Sequence, residues 1–428
     1  MLTRFSEAQR CDPVIRDAES ILRTCVHCGF CTATCPTFVL RGDELDSPRG
    51  RIVLIKEMHE RGGRPTGAVV KHLDRCLTCL SCMTTCPSGV DYLHLVDGAR
   101  QRIEADPAVR PLHQRLVRRL LVRLLSSRAL FRASLRLVGV ARPLAPLLPR
   151  RLGRLLALLP KPSPQSPATA VHPAIGHRRL RVALLTGCAQ AVVGDDINQA
   201  AIRLLTRHGV EVVVADVPCC GGLAHHMGQA DLAAGQAGAA VAGWWQETVA
   251  AGGTGLDAVV ITTSGCGTTV KDYGHMFRGD PMLAARAAEI AGLTVDITEL
   301  IERIGLAAPV IAAGRRVAYH AACSLQHGQR VRSVPQALLR QAGFDVQEVP
   351  EGHLCCGSAG TYNVLQADLA DALKARKQAN ILSVAPEVVA GGNLGCILQI
   401  GGGFAVPVLH TVQLLDWATG GPMPVGLR

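Results

Sequence analysis

The chain has 428 residues, 48% of them apolar, and a formal charge of +11. At roughly 150 residues per domain, this is length for about three domains with real buried cores. Seventeen cysteines in so long a chain, behind an N-terminus without an apolar h-region, argue against a small secreted disulfide scaffold. The thiols are expected to face a reducing cytosol and to serve metal or redox chemistry. No run of about 18 uncharged apolar residues occurs, so a transmembrane helix is not expected and any membrane contact has to be peripheral or through partners.

Residues 1–106 read as a mostly helical module organised by two cysteine runs. Cys25, Cys28, Cys31 and Cys35-Pro36 follow the pattern C-x2-C-x2-C-x3-C-P, and Cys76, Cys79, Cys82 and Cys86-Pro87 repeat it. This is the run of two-cluster bacterial ferredoxins, in which three cysteines of a run hold one [4Fe-4S] cluster and the fourth crosses to the other. Applied here, Cys25, Cys28, Cys31 and Cys86 form one set, and Cys76, Cys79, Cys82 and Cys35 the other. Structural zinc uses two separated cysteine pairs and fits less well. Between the runs, Ser47-Pro48 followed by an apolar stripe predicts a helix start. Arg49, Arg51 and Arg75 are candidates to offset cluster charge, with plain solvated arginines as the alternative. Cys11 stands outside both runs and reads as an unpaired thiol with no role.

Residues 107–178 differ in character. From 107 to 194 there is no Asp or Glu, and the stretch is rich in arginine. Residues 111–125 and 150–159 place Leu and Val at helical spacing with arginines between them, which predicts basic amphipathic helices. Such helices suit an anionic membrane, an acidic partner or an ordinary surface. Nucleic acid is not expected, because aromatic platforms for bases are lacking apart from Phe131. Residues 161–167, Lys-Pro-Ser-Pro-Gln-Ser-Pro, read as a linker.

The remainder is an internal repeat, 179–305 and 306–428. Cys188, Cys219, Cys220 and Cys266 recur in order as Cys323, Cys355, Cys356 and Cys396. Short β-branched runs alternate with helical stretches, which predicts βα units and parallel sheets with cysteines at strand ends and at the turns before helices. Gly401-Gly402-Gly403 reads as a turn. The fold class expected is therefore multidomain α+β: a helical two-cluster ferredoxin domain followed by two duplicated α/β domains with parallel sheets. His225, His226 and His320 could ligate or tune a cluster, although a plain helix or loop role is the simpler reading.

The paired runs, with Asp46-Ser47-Pro48-Arg49-Gly50-Arg51-Ile52 and Leu354-Cys355-Cys356-Gly357-Ser358 behind them, resemble the CCG-domain family of iron-sulfur subunits, nearest to those of glycolate oxidase (glycolate dehydrogenase). The resemblance implies an electron-transfer subunit with no catalytic residue of its own. FAD-containing partner subunits would oxidise glycolate to glyoxylate, and electrons would pass on to a membrane quinone at the inner face of the cytoplasmic membrane. It implies two [4Fe-4S] clusters, and the eight cysteines of the repeat are candidates for one or two more. No G-x-G-x-x-G opens a βα unit, so neither FAD nor NAD is expected on this chain. Two alternatives stay open: the iron-sulfur subunit of a lactate or glycerol-3-phosphate dehydrogenase, and a thiol-disulfide reductase. In heterodisulfide reductase-like units the last cysteine belongs to a C-x-x-C pair, whose partner positions here are Thr269 and Gln399, so non-cubane clusters are not implied.

Overall fold

The computed structural model describes residues 1–141, 162–164, 170–311 and 314–427. The expected helix at 150–159 and most of the stretch 161–167 lie outside these residues. In the N-terminal module the Ser47 hydroxyl accepts the Gly50 amide at 3.0 Å, and Pro48 opens the helix Pro48–Arg61, as the Ser-Pro signal predicts. Pro36 likewise opens the helix Pro36–Arg41 directly after Cys35. The helices Pro13–Thr24, Pro48–Arg61, Gly67–Asp74 and Tyr92–Ala105 bury Leu22, Ile55, Leu73 and Val96 in one core, and Cys25, Cys76 and Cys82 belong to the same core.

The basic segment forms the helices Leu112–Ser126 and Arg128–Ala141. Much of its charge is used inside the molecule, and not at a membrane, partner or plain surface, the three roles expected for it. Arg110 grips Asp74 at 2.6 and 2.7 Å, and Arg118 lies 3.7 Å from Asp74 and 3.6 Å from Glu104. Arg128 donates to Thr186 Oγ1 and the Val217 carbonyl, both at 3.0 Å, and Arg132 donates to the Ala191 carbonyl at 2.8 Å. Val122 packs against Ala224, Met227 and Ala233. The acids that meet Arg110 and Arg118 lie upstream of the segment, so its own sequence does not reveal them.

Two sheets follow. Strands β1 Ala170–His172, β2 Leu180–Leu185, β3 Val210–Val214, β4 Ala258–Ile261 and β5 Thr294–Asp296 stand in the order β1-β3-β2-β4-β5. Strands β6 Arg316–His320, β7 Asp345–Glu348, β8 Val388–Gly391 and β9 Val408–His410 stand in the order β7-β6-β8-β9. All pairings are parallel except β1 with β3. Removing β1 leaves the same four-strand topology twice, which is the duplication seen in the sequence. The edge strand β1 is a departure: the first sheet takes in residues that were expected to belong to the 107–178 segment. Three residues at a sheet edge leave too short a pattern to detect.

The two repeats are not separate bodies. One apolar core takes Val182, Leu184 and Leu205 from the first and Val317, Leu339 and Leu415 from the second. Asp195–Arg207 packs on Thr411–Ala418, and Ile297–Ile304 packs on Val334–Gln341, so each repeat lends the other a helix face. Arg203 and Arg207 hold the buried Asp416 at 2.7 and 3.0 Å across this joint.

The N-terminal module docks on the first repeat through histidines. His94 Nε2 lies 2.9 Å from Asp272, its Nδ1 lies 2.5 Å from Asp91, and its ring stacks on His275 at 3.5 Å. His225 and His226 lie 3.3 and 3.2 Å from the buried Asp97, so both serve this joint. Burial works against a charge on His94, but Asp272 and Asp91 outweigh it and lift the imidazole to about 10. An unfolded histidine titrates near 6.5. The stabilisation is therefore complete below about pH 6.5 and is lost as the pH rises through about 10. Urea unfolding of the wild type is expected to show about 2 kcal/mol of stability lost between pH 7 and 10.5 from this joint, and His94→Gln to show a flatter dependence. Equal slopes for the two proteins would refute the assignment.

Candidate functional site

The first cysteine run folds as a tight loop. Gly29 has φ +88°, a backbone conformation that favours glycine, and the end of Arg49 lies where a Cβ would stand; Leu80 takes the same left-handed place in the second run with φ +62°. Cys25, Cys28 and Cys31 line one cavity together with Cys82 and Cys86 of the second run. It holds about 440 Å³ of empty space, part of it open to solvent, and has no carboxylate among its lining residues. Burial pushes the Cys31 thiol up to about 11, against the pull of the Arg49 amide at the start of Pro48–Arg61. Cys28, Val26 and Phe30 are exposed, so this cavity sits at the surface.

The second set is deeper and is built around a buried ion network. Arg51 is 1% exposed and donates to the His72 carbonyl at 2.7 Å, Thr37 Oγ1 at 2.9 Å and Cys35 Sγ at 3.7 Å. The fully buried Asp46 anchors it, with His72 Nδ1 at 2.7 Å, Arg75 at 2.8 Å, Arg41 at 3.5 Å and Arg51 at 3.6 Å. Surrounded by guanidinium groups, Asp46 is the counter-ion of this network and not a ligand for a cation. Arg100 donates to Thr78 Oγ1 at 2.5 Å and to the Cys76 carbonyl at 2.6 Å, and Tyr92 Oη donates to Cys76 Sγ at 3.7 Å. Burial pushes the Cys76 thiol up, but Arg51 and Arg100 more than reverse this and hold it below the ordinary range. Burial drives Cys79 and Cys82 upward. Of the three expected arginines, Arg51 touches a sulfur, Arg49 lies by the first loop and pairs with Glu44, and Arg75 acts through Asp46.

In the repeats all eight cysteines gather at the carboxyl ends of the parallel strands. Cys266 and Cys396 lie inside the first turns of Ser264–Lys271 and Leu394–Gly401, and not in the turns before them. Cys188 meets Cys219, Cys219 meets Cys220, and Cys220 meets Cys266. The second repeat forms the same chain: Cys323 to Cys355, Cys355 to Cys356, and Cys356 to Cys396. Contact with Cys219 and burial raise the Cys188 thiol, whereas contact with Cys323 and Cys356 holds Cys355 well below the ordinary range. The glycine of each Cys-Cys-Gly has a mechanical reason. Gly221 and Gly357 have φ +81° and +87°, and a Cβ would meet the carbonyl oxygens of Ala233 and Ala370 at 2.7 and 2.6 Å. The turn after each cysteine pair thereby lies close against a later helix, Ala230–Trp245 in the first repeat and Ala367–Leu382 in the second.

The deeper ferredoxin-type set and the second repeat share one apolar cluster: Leu77, Cys323, Cys355, Tyr362 and Leu373, with Cys79 packed against it. Tyr362 Oη donates to the Arg75 carbonyl at 3.0 Å, and Thr84 Oγ1 meets His327 Nδ1 at 2.7 Å. The first and second repeats meet through Ser264 and Ser324, whose hydroxyls are 2.7 Å apart beside Cys266 and Cys323. Sulfur donors, buried cations and water-poor surroundings fit iron-sulfur clusters, which the protein tunes by charge and hydrogen bonds to sulfur.

This fold and these sites define an iron-sulfur electron carrier: a dicluster module on a duplicated cysteine-rich unit. Residues 24–90 match the 4Fe-4S dicluster domain family, and residues 182–271 and 317–401 match the cysteine-rich domain family. The chain is 39% identical to the glycolate oxidase iron-sulfur subunit of Escherichia coli, over 98% of this chain and 99% of that one. It is 28% identical to the probable glycolate oxidase iron-sulfur subunit of Bacillus subtilis, over 94% and 95%. Lactate utilization protein A of Oceanobacillus iheyensis is 27% identical, over 55% of this chain and 97% of that one. The chain belongs to the family of glycolate oxidase iron-sulfur subunits.

Sequence reasoning gave no role to Asp46, His72, Arg100 or the buried Lys377, whose surroundings are assembled from distant segments. Arg51→Met is expected to cost about 3–5 kcal/mol, because it removes the most deeply buried cation of the network around Asp46 and Cys35, and to lower iron retained per chain. Urea unfolding with iron analysis measures both. Gly357→Ala is expected to cost about 1–3 kcal/mol through the left-handed backbone and the Ala370 carbonyl, read as a lower unfolding midpoint.

Proposed function

We propose that this chain is the electron-transfer subunit of a glycolate dehydrogenase (glycolate oxidase), taking electrons from FAD-containing partner subunits that convert glycolate to glyoxylate and delivering them toward a membrane quinone. The observation that carries this reading is the contiguous series of cysteine sets. It starts at the surface cavity of Cys25, Cys28, Cys31 and Cys86, passes to Cys76, Cys79, Cys82 and Cys35, and continues through Cys79 to Cys355 in a shared apolar cluster. Those two quartets are the proposed ligands of two [4Fe-4S] clusters, and Cys188, Cys219, Cys220 and Cys266 with Cys323, Cys355, Cys356 and Cys396 are the proposed holders of further metal. The clusters supply one-electron transfer. The chain's own residues do the rest: Arg51 and Arg100 offset negative charge at Cys35 and Cys76, and Leu77, Tyr362 and Leu373 keep water from the passage between modules.

The domain division that goes with this reading is 1–106, a basic helical segment, and two repeats that meet near 305, with the first sheet starting at β1. The seat of the complex is proposed to be the inner face of the cytoplasmic membrane. Among the described residues no helix is long and apolar enough to cross a membrane. Leu112, Leu116 and Leu120 lie exposed along one face of Leu112–Ser126, with Arg115, Arg119 and Arg123 beside them. Exposed leucines flanked by arginines suit an anionic lipid surface.

Reconstituted chain is expected to hold at least about eight iron atoms. In the complex with its flavin subunits, glycolate is expected to bleach cluster absorbance faster than lactate or glycerol 3-phosphate. Bleaching by lactate alone would replace the substrate, and fewer than about eight iron atoms would remove the dicluster assignment. Leu116→Glu with Leu120→Glu is expected to weaken sedimentation with phosphatidylglycerol vesicles at least tenfold while leaving the iron content unchanged. Unchanged sedimentation would exclude this face.

A further inference from the structure

The duplication is unequal at its cysteines. Aligning Cys188 with Cys323 sets Leu185, the last residue of β2, against His320, the last residue of β6. The shared sequence Gln-Ala-Asp-Leu-Ala, beginning at Gln229 and at Gln366, fixes the following helices, and sets Ala240 against Lys377. All four residues are buried: Leu185 3%, Ala240 0%, His320 2% and Lys377 2% exposed. The first cysteine set therefore has apolar side chains where the second has an imidazole and an ammonium group.

Lys377 is the more telling of the two. Its Nζ donates to the Glu351 carbonyl at 3.0 Å, but the Glu351 carboxylate is engaged by Arg376 Nε at 2.7 Å and Asn380 at 2.8 Å. Among the described residues no carboxylate lies within ion-pair distance of Lys377. The negative groups that act on it are the sulfurs of Cys323, Cys356 and Cys355 and, to a smaller degree, Glu351. A cation at this depth is costly unless an anion faces it. Beside it, a ring nitrogen of His320 lies within 4.8 Å of the Cys356 and Cys396 sulfurs, and His320 Nε2 has no hydrogen-bond partner. A buried imidazole with an unpartnered nitrogen, on a ring beside two sulfurs, is expected to gain a partner when the site is filled.

We propose that the second cysteine-rich unit, and not the first, is the redox-active one: Cys323, Cys355, Cys356 and Cys396 hold an anionic metal-sulfur centre, Lys377 sets its charge balance, and His320 meets it through a ring nitrogen. This rests on the reading that the cysteine-rich units hold metal. The second unit is also the one in contact with the dicluster module, through Cys79, Leu77 and Tyr362. The transfer is a one-electron exchange with the reduced dicluster module, so no bond forms or breaks. The first unit, which among the described residues has no buried cation at its thiols, is a structural cage or a centre much harder to reduce.

The test uses the full reconstituted chain, with iron and zinc counted per chain and a redox titration followed by paramagnetic resonance. Lys377→Met is expected to keep the metal content and make one centre at least tenfold harder to reduce, a midpoint lower by about 59 mV for one electron. Lys377→Arg is expected to restore the midpoint, and His320→Leu to shift the same centre. Cys323→Ser with Cys396→Ser is expected to abolish that centre, whereas Cys188→Ser with Cys266→Ser leaves it titrating. If the Cys323 and Cys396 pair removes a centre but Lys377→Met leaves every midpoint unchanged, the role of Lys377 is overturned while the metal reading stands. If neither cysteine pair changes the metal content, the metal reading itself falls. If Lys377→Met loses metal and Lys377→Arg does not restore it, or if the first-unit pair removes the titrating centre, the proposal is overturned.

Discussion

A sulfur anion in a protein interior needs a cation near it, and most of this molecule is arranged around that requirement. At the deeper ferredoxin-type set the cation is Arg51, oriented by the His72 carbonyl and Thr37 and tied to the buried Asp46. Asp46 in turn gathers Arg41 from one segment and His72 and Arg75 from another. Taking so many charges out of water is costly unless each has a partner, which is why the network is closed on itself. Arg100 makes a second approach to Cys76 from the helix Tyr92–Ala105.

The duplicated units meet a similar demand by different means. Their parallel sheets bring loops from three strands to one edge, and the glycine of Cys-Cys-Gly lets the turn after the paired cysteines approach the carbonyl of a later helix. A common core joins the units, so the two cysteine sets are fixed relative to each other and meet across the hydroxyls of Ser264 and Ser324. Duplication supplied the geometry twice, but only the second copy has a histidine and a lysine in it. The N-terminal module is fastened to the first copy by ion pairs of His94, His225 and His226, and to the second copy by apolar packing around Cys79. The division is physically sensible: charged joints suit a mechanical hold, whereas an electron passage favours a dry one.

The basic segment illustrates how charge read from composition misleads when its partners lie far away in sequence. Arg110 and Arg118 meet Asp74 and Glu104, and Arg128 and Arg132 cap loops of the first repeat. What is left for a surface is the outer face of Leu112–Ser126, with its leucines and flanking arginines.

The sequence by itself determined the chemistry and the repeat. Cysteine spacing is a local property, so the two runs of four declare a dicluster module, and the recurrence of four cysteines in order declares duplication. The Ser47-Pro48 start was legible for the same reason, because a cap acts within one turn. The tertiary structure alone decided which groups surround the sulfurs. Asp46, Arg100 and Lys377 look like ordinary surface charges in the sequence, and their burial depends on helices packing from distant segments. The edge strand β1 was too short to leave a periodic signal. The apolar cluster shared by Cys79 and Cys355 joins residues 276 positions apart in a chain of 428; only the docking of one folded module on another brings them together.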